Sequence, residues 1–518
     1  MHRQASPPLS TWGIGLALFL VSAGALVLEI VAGRLLAPFV GMSLYTWTAI
    51  ISVVLAGLAV GHWIGGRQAE AAADERSART RVAVALGLAA LTTLAVLVVL
   101  RLAARPLIEQ GLHPIATIVL LTALLFLPPS LFAGVVSPVL TKLAVDADRT
   151  RAGHVLGRMF ALGAAGSIAG TLAAGYAFIS WIGSTGTVLA VAALYALLAI
   201  AFAAGWRRRV AGLGLLVLAA GTVAVAGRES AFASPCRAES DYYCLRVEDF
   251  SAESGRDSRV LVLDHLGHGI NDAAEPRLLY SSYLHFTDEL ARRRFGPGPL
   301  SAFFIGGGAF TLPRAWAAEN PDSHLHVAEI DPAVTALASR ELWLAPSPAI
   351  AIDHRDARVA LQALPRQPSF DVVFGDAFHD IGIPPHLVTA EFHHEIAARL
   401  KPGGFYAINV IEARAEPRFL FALVQTLWRD FAHVEVWVDA DELSQGARLT
   451  YLVVASDTAT DAPRVRATRF LPRAWVRLRD DQVRAKVAAA AVPTLTDDYA
   501  PVDRLMAHVL LDPETGEH

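Results

Sequence analysis

The chain has 518 residues, of which 54% are hydrophobic and 18% are charged, with a mean hydropathy of +0.43 and a formal net charge of −4. This length exceeds one ordinary domain, and the hydropathy is too high for a purely soluble protein. The absence of a basic excess argues against a nucleic-acid-binding function, so no nucleic acid is expected as a partner.

Residues 1–227 carry the apolar excess. Their charged residues lie in short loops between runs that are each about long enough to cross a hydrocarbon core, which takes roughly 20 residues. A cleaved signal peptide does not explain the pattern, because the first run is too long and others follow it. The runs predict a multi-span α-helical membrane bundle of about seven helices, at 12–33, 44–66, 82–100, 115–141, 159–179, 185–205 and 210–227.

Two kinds of residue stand out inside this bundle. Glycines recur at four-residue spacing and predict close packing between helices, at Gly57, Gly61 and Gly65 and again at Gly166 and Gly170. Glu29 lies within the first span, where a carboxylate needs a polar cavity or a partner such as His62. A structural role and a transport or gating role both stay open for Glu29.

Residues 228–298 predict a small β-hairpin subdomain and a linking helix. Strand-like runs at 243–247 and 259–263 are separated by a polar stretch. The helix, at about 277–294, carries Tyr280, Tyr283 and His285.

Residues 299–518 alternate apolar strands with amphipathic helices. This alternation predicts an α/β domain with a mainly parallel sheet that is covered on both faces and binds its ligand at the carboxyl ends of the strands. The predicted strands are 302–305, 324–328, 349–352, 371–374, 405–410, 433–438 and 450–454.

A glycine turn follows the first of these strands. Gly306, Gly307 and Gly308 lead into a helix-length stretch and a second strand that ends at Glu329. In a βαβ unit such glycines let the backbone approach a nucleoside, and the carboxylate accepts the ribose hydroxyls. The order of these features predicts an adenosine site. The alternative is a tight βα turn with a solvent-facing Glu329.

Four acids follow successive strands, at Glu329, Asp331, Asp356 and Asp376. Each one alone could cap a helix, and this applies above all to Asp356, where a helix begins. Together they predict a shared acidic site at one edge of the sheet. Such a site favours a cationic ligand, either a sulfonium, an amine or both. No Cys/His spacing suggests a metal site, so no metal is expected.

The soluble part resembles the spermidine synthases, or polyamine aminopropyltransferases, and the whole chain is similar to bacterial proteins that fuse several membrane spans to such a domain. The matching segments are 305–308, 329–331, 356–358, 371–376, 400–404 and 495–502, with 22–24 and Glu29 in the first span. The resemblance implies a class I methyltransferase-type Rossmann-like fold preceded by the hairpin subdomain.

The resemblance also implies roles for individual residues. The glycines at 306–308 would pass the methionine-derived part of decarboxylated S-adenosylmethionine, and Asp376 would be the catalytic acid-base residue. The other cofactor-binding positions would be Glu329 with Asp331, and Asp356 with Ala357, of which Asp356 would accept a bond from the adenine amino group. The candidate substrate-binding residues are Tyr280, His285, Asp380 and Tyr499.

The amine side departs from the family pattern. The family has a second Asp three places after the catalytic one, whereas here that position is His379 and Asp380 follows it. Phe310, after the glycines, would narrow the pocket. Three functions therefore stay open: an aminopropyltransferase acting on an amine such as putrescine, an S-adenosylmethionine-dependent methyltransferase, and a non-catalytic polyamine- or nucleoside-binding transporter or sensor.

The expected partners are a small-molecule polyamine and the lipid bilayer of the cell (inner) membrane, with a homodimer as the candidate assembly. The side of the membrane stays open. Seven spans and the positive-inside rule would place the C-terminal part outside, where a disulfide between Cys236 and Cys244 would suit an oxidising compartment. Adenosyl sulfonium compounds, however, are made in the cytoplasm.

Overall fold

The computed structural model describes residues 11–203, 233–378, 382–444, 448–507 and Val509. The chain divides into two compact units, Met1–Cys244 and Leu245–His518. The first unit is mainly helical, and the second combines strands with helices.

The first unit is a bundle of long apolar helices. Five helical stretches among the described residues are long and apolar enough to cross a membrane, and the last of them runs from Arg149 to Phe202. Gly183, with φ 70° and ψ 172°, interrupts this last stretch. The stretch as a whole covers two predicted runs, 159–179 and most of 185–205. The predicted run 210–227 lies outside the described residues. The helices are α1 (Thr11–Val40), α2 (Leu44–Glu70), α3 (Glu75–Ile108), α4 (Pro114–Ala147), α5 (Ala152–Ala173) and α6 (Ile179–Phe202), with a π-helical turn at Ala174–Phe178.

The predicted glycine seams are confirmed. A Cβ on Gly61 would lie 2.2 Å from the Leu131 carbonyl oxygen of α4, and one on Gly166 would lie 2.2 Å from the Phe19 carbonyl oxygen of α1. Side chains at these positions would separate the helices, so glycine sets the spacing. His62 lies on the exposed surface of the bundle, and neither a hydrogen bond nor an ion pair joins it to Glu29 among the described residues.

The second unit begins with the predicted hairpin layer. Strands β2 (Cys244–Asp249), β3 (Ser258–Leu263) and β4 (Leu266–Asp272) pair antiparallel. A two-residue strand, β1 (Ala238–Glu239), precedes them, and a short helix, α7 (Ser251–Ser254), lies between β2 and β3. The linking helix α8 spans Ser282–Phe295 and begins later than predicted.

Among the described residues, the main sheet has nine strands, in the order β12-β13-β10-β11-β9-β8-β5-β6-β7. Strands β9, β8, β5, β6 and β7 are parallel, as predicted, and the remaining pairs are antiparallel. The expectation of a mainly parallel sheet is therefore wrong for half of the strand pairs. The strands are β5 (Ser301–Ile305), β6 (His324–Ala328), β7 (Ile350–Asp353), β8 (Phe370–Gly375), β9 (Leu400–Ala413), β10 (His433–Asp439), β11 (Arg448–Ser456), β12 (Arg464–Arg466) and β13 (Ala474–Arg477).

Helices connect the parallel strands, because a parallel pair needs a long crossover. The link from β10 to β11 is too short for one, so these strands form a hairpin instead. The helices are α9 (Thr311–Glu319), α10 (Pro332–Glu341), α11 (Ala357–Ala363), α12 (Ala390–Ala397), α13 (Arg418–Leu427), α14 (Asp480–Ala490) and α15 (Val502–Leu505).

Candidate active site

The glycine turn after β5 is held in close contact with two other segments. Gly306 has φ 93°, and a Cβ there would lie 2.8 Å from the Asp376 carbonyl oxygen. Gly308 has φ 50°, and a Cβ there would lie 2.9 Å from the His268 carbonyl oxygen. Glycine is required at both positions, because a side chain would meet the backbone in a conformation that L residues rarely adopt.

The hairpin layer braces the end of this turn. The Ala309 amide donates to the His268 carbonyl (3.1 Å), and Asn271 Nδ2 donates to the Ala309 carbonyl (2.8 Å). Phe310 is fully buried, with φ 54°, and its ring lies against Gly307. The ring fills space inside the protein and does not line the cleft described below, so the expected narrowing of the pocket by Phe310 is not seen.

Glu329, at the end of β6, binds the same turn. Its Oε2 accepts from the amides of Gly307 (2.8 Å) and Gly308 (3.2 Å), and its Oε1 accepts from the Asp331 amide (2.9 Å). Burial raises the pKa of Glu329, although these three hydrogen bonds oppose the rise. A carboxylate offers about four acceptor positions, so one is left for a ligand hydroxyl.

Asp331 and Asp356 both cap helices, which is the structural role considered for Asp356. Asp331 accepts from the Ala333 amide (2.9 Å) at the start of α10. Asp356 Oδ1 accepts from the amides of Arg358 (2.9 Å) and Val359 (3.1 Å) at the start of α11, whose first residue is the buried Ala357. Such caps stabilise a helix by about 1 kcal/mol.

The second oxygen of Asp356 has a different partner. Asp356 Oδ2 lies 2.7 Å from His386 Nε2, and this contact is the main cause that lowers the pKa of Asp356. The C-terminal segment 495–502 also reaches this corner, because Arg358 forms two hydrogen bonds with the Asp497 carboxylate, at 2.7 and 2.6 Å. Asp356 thus combines a cap with an outward-facing oxygen.

Asp376 follows β8 and is held by two side chains. Tyr283 of α8 donates its hydroxyl to Oδ2 (3.1 Å), and Asn409 of β9 donates Nδ2 to Oδ1 (2.9 Å). Burial raises the pKa of Asp376 to about 6, while these two hydrogen bonds lower it. Neither Tyr283 nor Asn409 was among the predicted site residues. A polar Asn within the apolar strand β9 was the available signal.

A cleft opens beside Asp376 and the glycine turn. The Tyr283 and Phe374 rings stack at 6.3 Å in this region, with an angle of 7° between their planes. Aromatic faces beside a carboxylate favour a cation. The cleft is lined in part by Gly306, Gly307, Tyr283, Phe304, Phe374 and Asp376.

The strand order explains which predicted residues come together. Ile305 pairs in register with Gly375 on one side and with Ala328 on the other, and Ala328 pairs with Asp353. Asp376, the glycine turn, Glu329 and Asp356 therefore lie in sequence along one edge of the sheet. Of the four acids, only Asp376 lines the cleft itself.

The other predicted substrate-binding residues lie elsewhere. Tyr280 donates to Asp272 (3.1 Å), His285 is buried edge-on against the Trp475 ring (5.2 Å), and Tyr499 is 48% exposed and accepts from Arg504. The structure does not bring these three residues to the cleft. Asp380 lies outside the described residues. Within the part of the chain that is described, no group of three or more potential metal ligands is found.

No family model matches the chain. A polyamine aminopropyltransferase of Vibrio vulnificus (strain CMCP6) is 33% identical over 170 residues, which are 33% of this chain and 52% of that protein. A probable polyamine aminopropyl transferase of Bifidobacterium longum (strain NCC 2705) is 29% identical over 127 residues, covering 24% of this chain and 28% of that protein. The match spans about half of the first relative and less of the second.

Among solved structures, the chain is similar to a probable spermidine synthase from Corynebacterium glutamicum ATCC 13032. The TM-score is 0.44 with 21% identity, and the similarity covers 51% of this chain and 97% of that one. The parallel half of the sheet, with helices in its crossovers, is an α/β arrangement of the kind that binds nucleotides at the carboxyl ends of its strands. In sequence, the chain is similar to these two polyamine aminopropyltransferases over part of its length.

Proposed function

We propose that the protein is a multi-pass membrane aminopropyltransferase. It transfers the aminopropyl group of decarboxylated S-adenosylmethionine to an amine acceptor such as putrescine, and methylthioadenosine leaves. The observation that carries this proposal is the Asp376 carboxylate, which Tyr283 and Asn409 hold at the cleft beside the glycine turn.

The nucleoside would lie along the edge of the sheet. The acceptor position left on Glu329 would take a ribose hydroxyl. Asp356 Oδ2 would accept from the adenine amino group and exchange its contact with His386 for that bond. The sulfonium would then face the cleft at Gly306 and Gly307, which both line it.

The reaction requires alignment and one proton transfer. The uncharged amine nitrogen attacks the carbon next to the sulfonium, a C–N bond forms, and the C–S bond breaks with its electron pair going to sulfur. The new ammonium then loses a proton to Asp376. With a pKa raised to about 6, Asp376 is ionised at neutral pH and is a stronger base than an ordinary aspartate.

The cleft also suits the positive charges of the sulfonium donor and of the protonated product. The sulfonium and the protonated product are cations, and the cleft offers them the Asp376 carboxylate with the faces of Tyr283 and Phe374. Cation–π contacts of this kind contribute about 0.5–2 kcal/mol. This setting supports a cationic substrate more than the methionine carboxylate of ordinary S-adenosylmethionine.

The direct test supplies the purified full-length protein with decarboxylated S-adenosylmethionine and a panel of mono-, di- and triamines. Mass spectrometry should detect methylthioadenosine and one aminopropylated amine. Asp376→Asn is the matched control, because it keeps the shape of the side chain and removes the base. S-adenosylhomocysteine formed from S-adenosylmethionine would instead identify a methyltransferase, and binding without any turnover would identify a sensor or transporter.

A further inference from the structure

The direction of each helix in the first unit can be read from its contacts. Residues 57, 61 and 65 of α2 meet residues 130, 134 and 138 of α4 in that order, so α2 and α4 run parallel. In the same way Phe19 and Ala23 of α1 meet Gly166 and Gly170 of α5, so α1 and α5 run parallel. The links α2–α3 and α4–α5 therefore lie at the same end of the bundle.

That end is strongly basic and is called the basic end. It carries two groups of basic residues, one near the α2–α3 link and one near the α4–α5 link. The first group is Arg67, Arg76, Arg79 and Arg81, and the second is Lys142, Arg149, Arg151 and Arg158. The opposite end carries Arg34, Arg101 and Arg105. Short loops rich in Lys and Arg stay in the cytoplasm, so the basic end faces the cytoplasm.

Residues 233–242 lie at the opposite end. Arg34, near the C-terminus of α1, donates to the carbonyls of Ser240 and Tyr242. Arg101, in the last third of α3, donates to the Ala233 carbonyl (2.8 Å). Both arginines therefore hold this segment through backbone carbonyls.

The Glu239 side chain adds a third attachment. Glu239 accepts from the Ser184 amide (2.9 Å), at the break that begins the main part of α6. Ser184, Arg34, Arg101 and Glu239 line one common cavity. Three helices thus fix the same segment at one end of the bundle.

The last described residue of α6 lies at the other end. Ser184 is beside Arg34 and Leu35 of α1 in that cavity, whereas Tyr195 donates to the Val21 carbonyl (3.3 Å). Helix α6 therefore runs antiparallel to α1, and Phe202 lies about 10 Å beyond Tyr195 toward the basic end, at 1.5 Å per residue. Ala203 and Ala233 are at opposite ends, and the chain between them, 204–232, includes the predicted run 210–227.

We propose that the segment 233–244 lies on the non-cytoplasmic side of the membrane, so that the polypeptide enters the second unit from that side. Its two cysteines fit this placement independently. Cys236 and Cys244, the only cysteines of the chain, form a disulfide, and disulfides persist in oxidising compartments. The second unit contains no further candidate span among its described residues, so its cleft faces the same compartment.

One consequence rests on the proposed function. Adenosyl sulfonium compounds are made in the cytoplasm, so a transferase with its cleft on the other side needs a transport step to supply the nucleoside. The sidedness itself does not depend on activity. The experiments below therefore separate failure of the placement from failure of the proposed function.

The first test uses intact bacterial cells that express the full chain. In a Cys236→Ser/Cys244→Ser background, the exposed Ala252→Cys should react with a membrane-impermeant maleimide before lysis. The matched Ala73→Cys, exposed in the α2–α3 link, should react only after permeabilisation. The reverse pattern would overturn the proposal.

The second test keeps the native cysteines, in case the substituted background does not fold. Cys236 and Cys244 should resist a permeant alkylating reagent until a reductant is added, and an epitope placed after His518 should be digested in spheroplasts but protected in inverted vesicles. Thiols that are free in growing cells, or an epitope digested only in inverted vesicles, would contradict the placement.

Discussion

The two units use glycine for the same physical purpose, which is close packing, but their acidic residues differ in the contacts they make. In the bundle, Gly61 and Gly166 let helices approach until a Cβ would lie 2.2 Å from a facing carbonyl. In the α/β unit, Gly306 and Gly308 let a turn approach two other segments until a Cβ would lie 2.8 and 2.9 Å from a facing carbonyl oxygen. Glycine alone therefore does not mark a ligand site, because both units need it for packing.

The acids separate the two units. Glu329, Asp356 and Asp376 each accept two or more hydrogen bonds, and Asp376 lines a cleft. For Glu29 in the bundle no hydrogen bond or ion pair is found among the described residues. The chemistry is therefore expected to reside in the second unit, where positioned carboxylates and a cleft coincide.

The largest effect is expected when the acids of the two units are compared directly. Asp376→Asn should lower kcat by about 10²–10⁴, the usual contribution of a general base, while Glu29→Gln should leave kcat within about twofold. Methylthioadenosine release from the full-length protein measures both. An equal loss from Glu29→Gln would show that the bundle takes part in function.

The next effect sharpens the comparison of the glycines. Gly306→Ala places a Cβ against the Asp376 backbone at φ 93°, and nucleoside affinity should fall about ten- to a hundredfold by calorimetry. Gly298→Ala, where nothing lies within 4 Å, is its control.

Gly61→Ala should instead destabilise the bundle by about 1–3 kcal/mol and leave nucleoside affinity unchanged. Gly87→Ala, also in open space, controls for it. Lower nucleoside affinity in Gly61→Ala, or a less stable bundle in Gly306→Ala, would contradict this difference between the two units.

A smaller effect is expected at Glu329. An amide has one acceptor oxygen, whereas three backbone amides donate to this carboxylate, so Glu329→Gln leaves at least one of them facing an NH₂ group. A loss of about 1.4 kcal/mol, within the range for a buried donor left without an acceptor, should weaken methylthioadenosine binding about tenfold. Unchanged affinity would show that Glu329 serves only the turn.

The smallest effect concerns pH. Because Asp376 must be ionised to accept a proton and its pKa is about 6, kcat/KM should fall as the pH drops below that value. Tyr283 and Asn409 lower this pKa, so Tyr283→Phe should raise it and move the acid limb of the profile to higher pH. An acid limb that does not move would remove Tyr283 from the account.

Much of the fold follows from the sequence. Strand β6 was predicted with its observed bounds, and the glycine turn was correctly placed between a strand and a helix. The antiparallel half of the sheet was not predicted, because a short link between apolar runs looks the same in a hairpin and in a tight crossover. Helix α8 begins five residues later than predicted, after Ser281, whose backbone is extended.

The candidate site was predicted less completely, because some of its residues are far apart in the sequence. Asp376 was found from its position after a strand. Tyr283 and Asn409 are distant from it in sequence, and only the packing of α8 and β9 brings them within 3.1 and 2.9 Å. Tyr280 and Tyr283 are three residues apart, which is close to one helical turn. The sequence alone does not show which of them faces Asp376, because this depends on where α8 begins.

A cryo-EM structure of the full-length protein with methylthioadenosine tests the central claim most directly. We expect a ribose hydroxyl on Glu329, the adenine at Asp356, and the sulfur in the cleft beside Gly306 and Asp376. A nucleoside bound away from this edge of the sheet, or an empty cleft at saturating methylthioadenosine, would contradict the account.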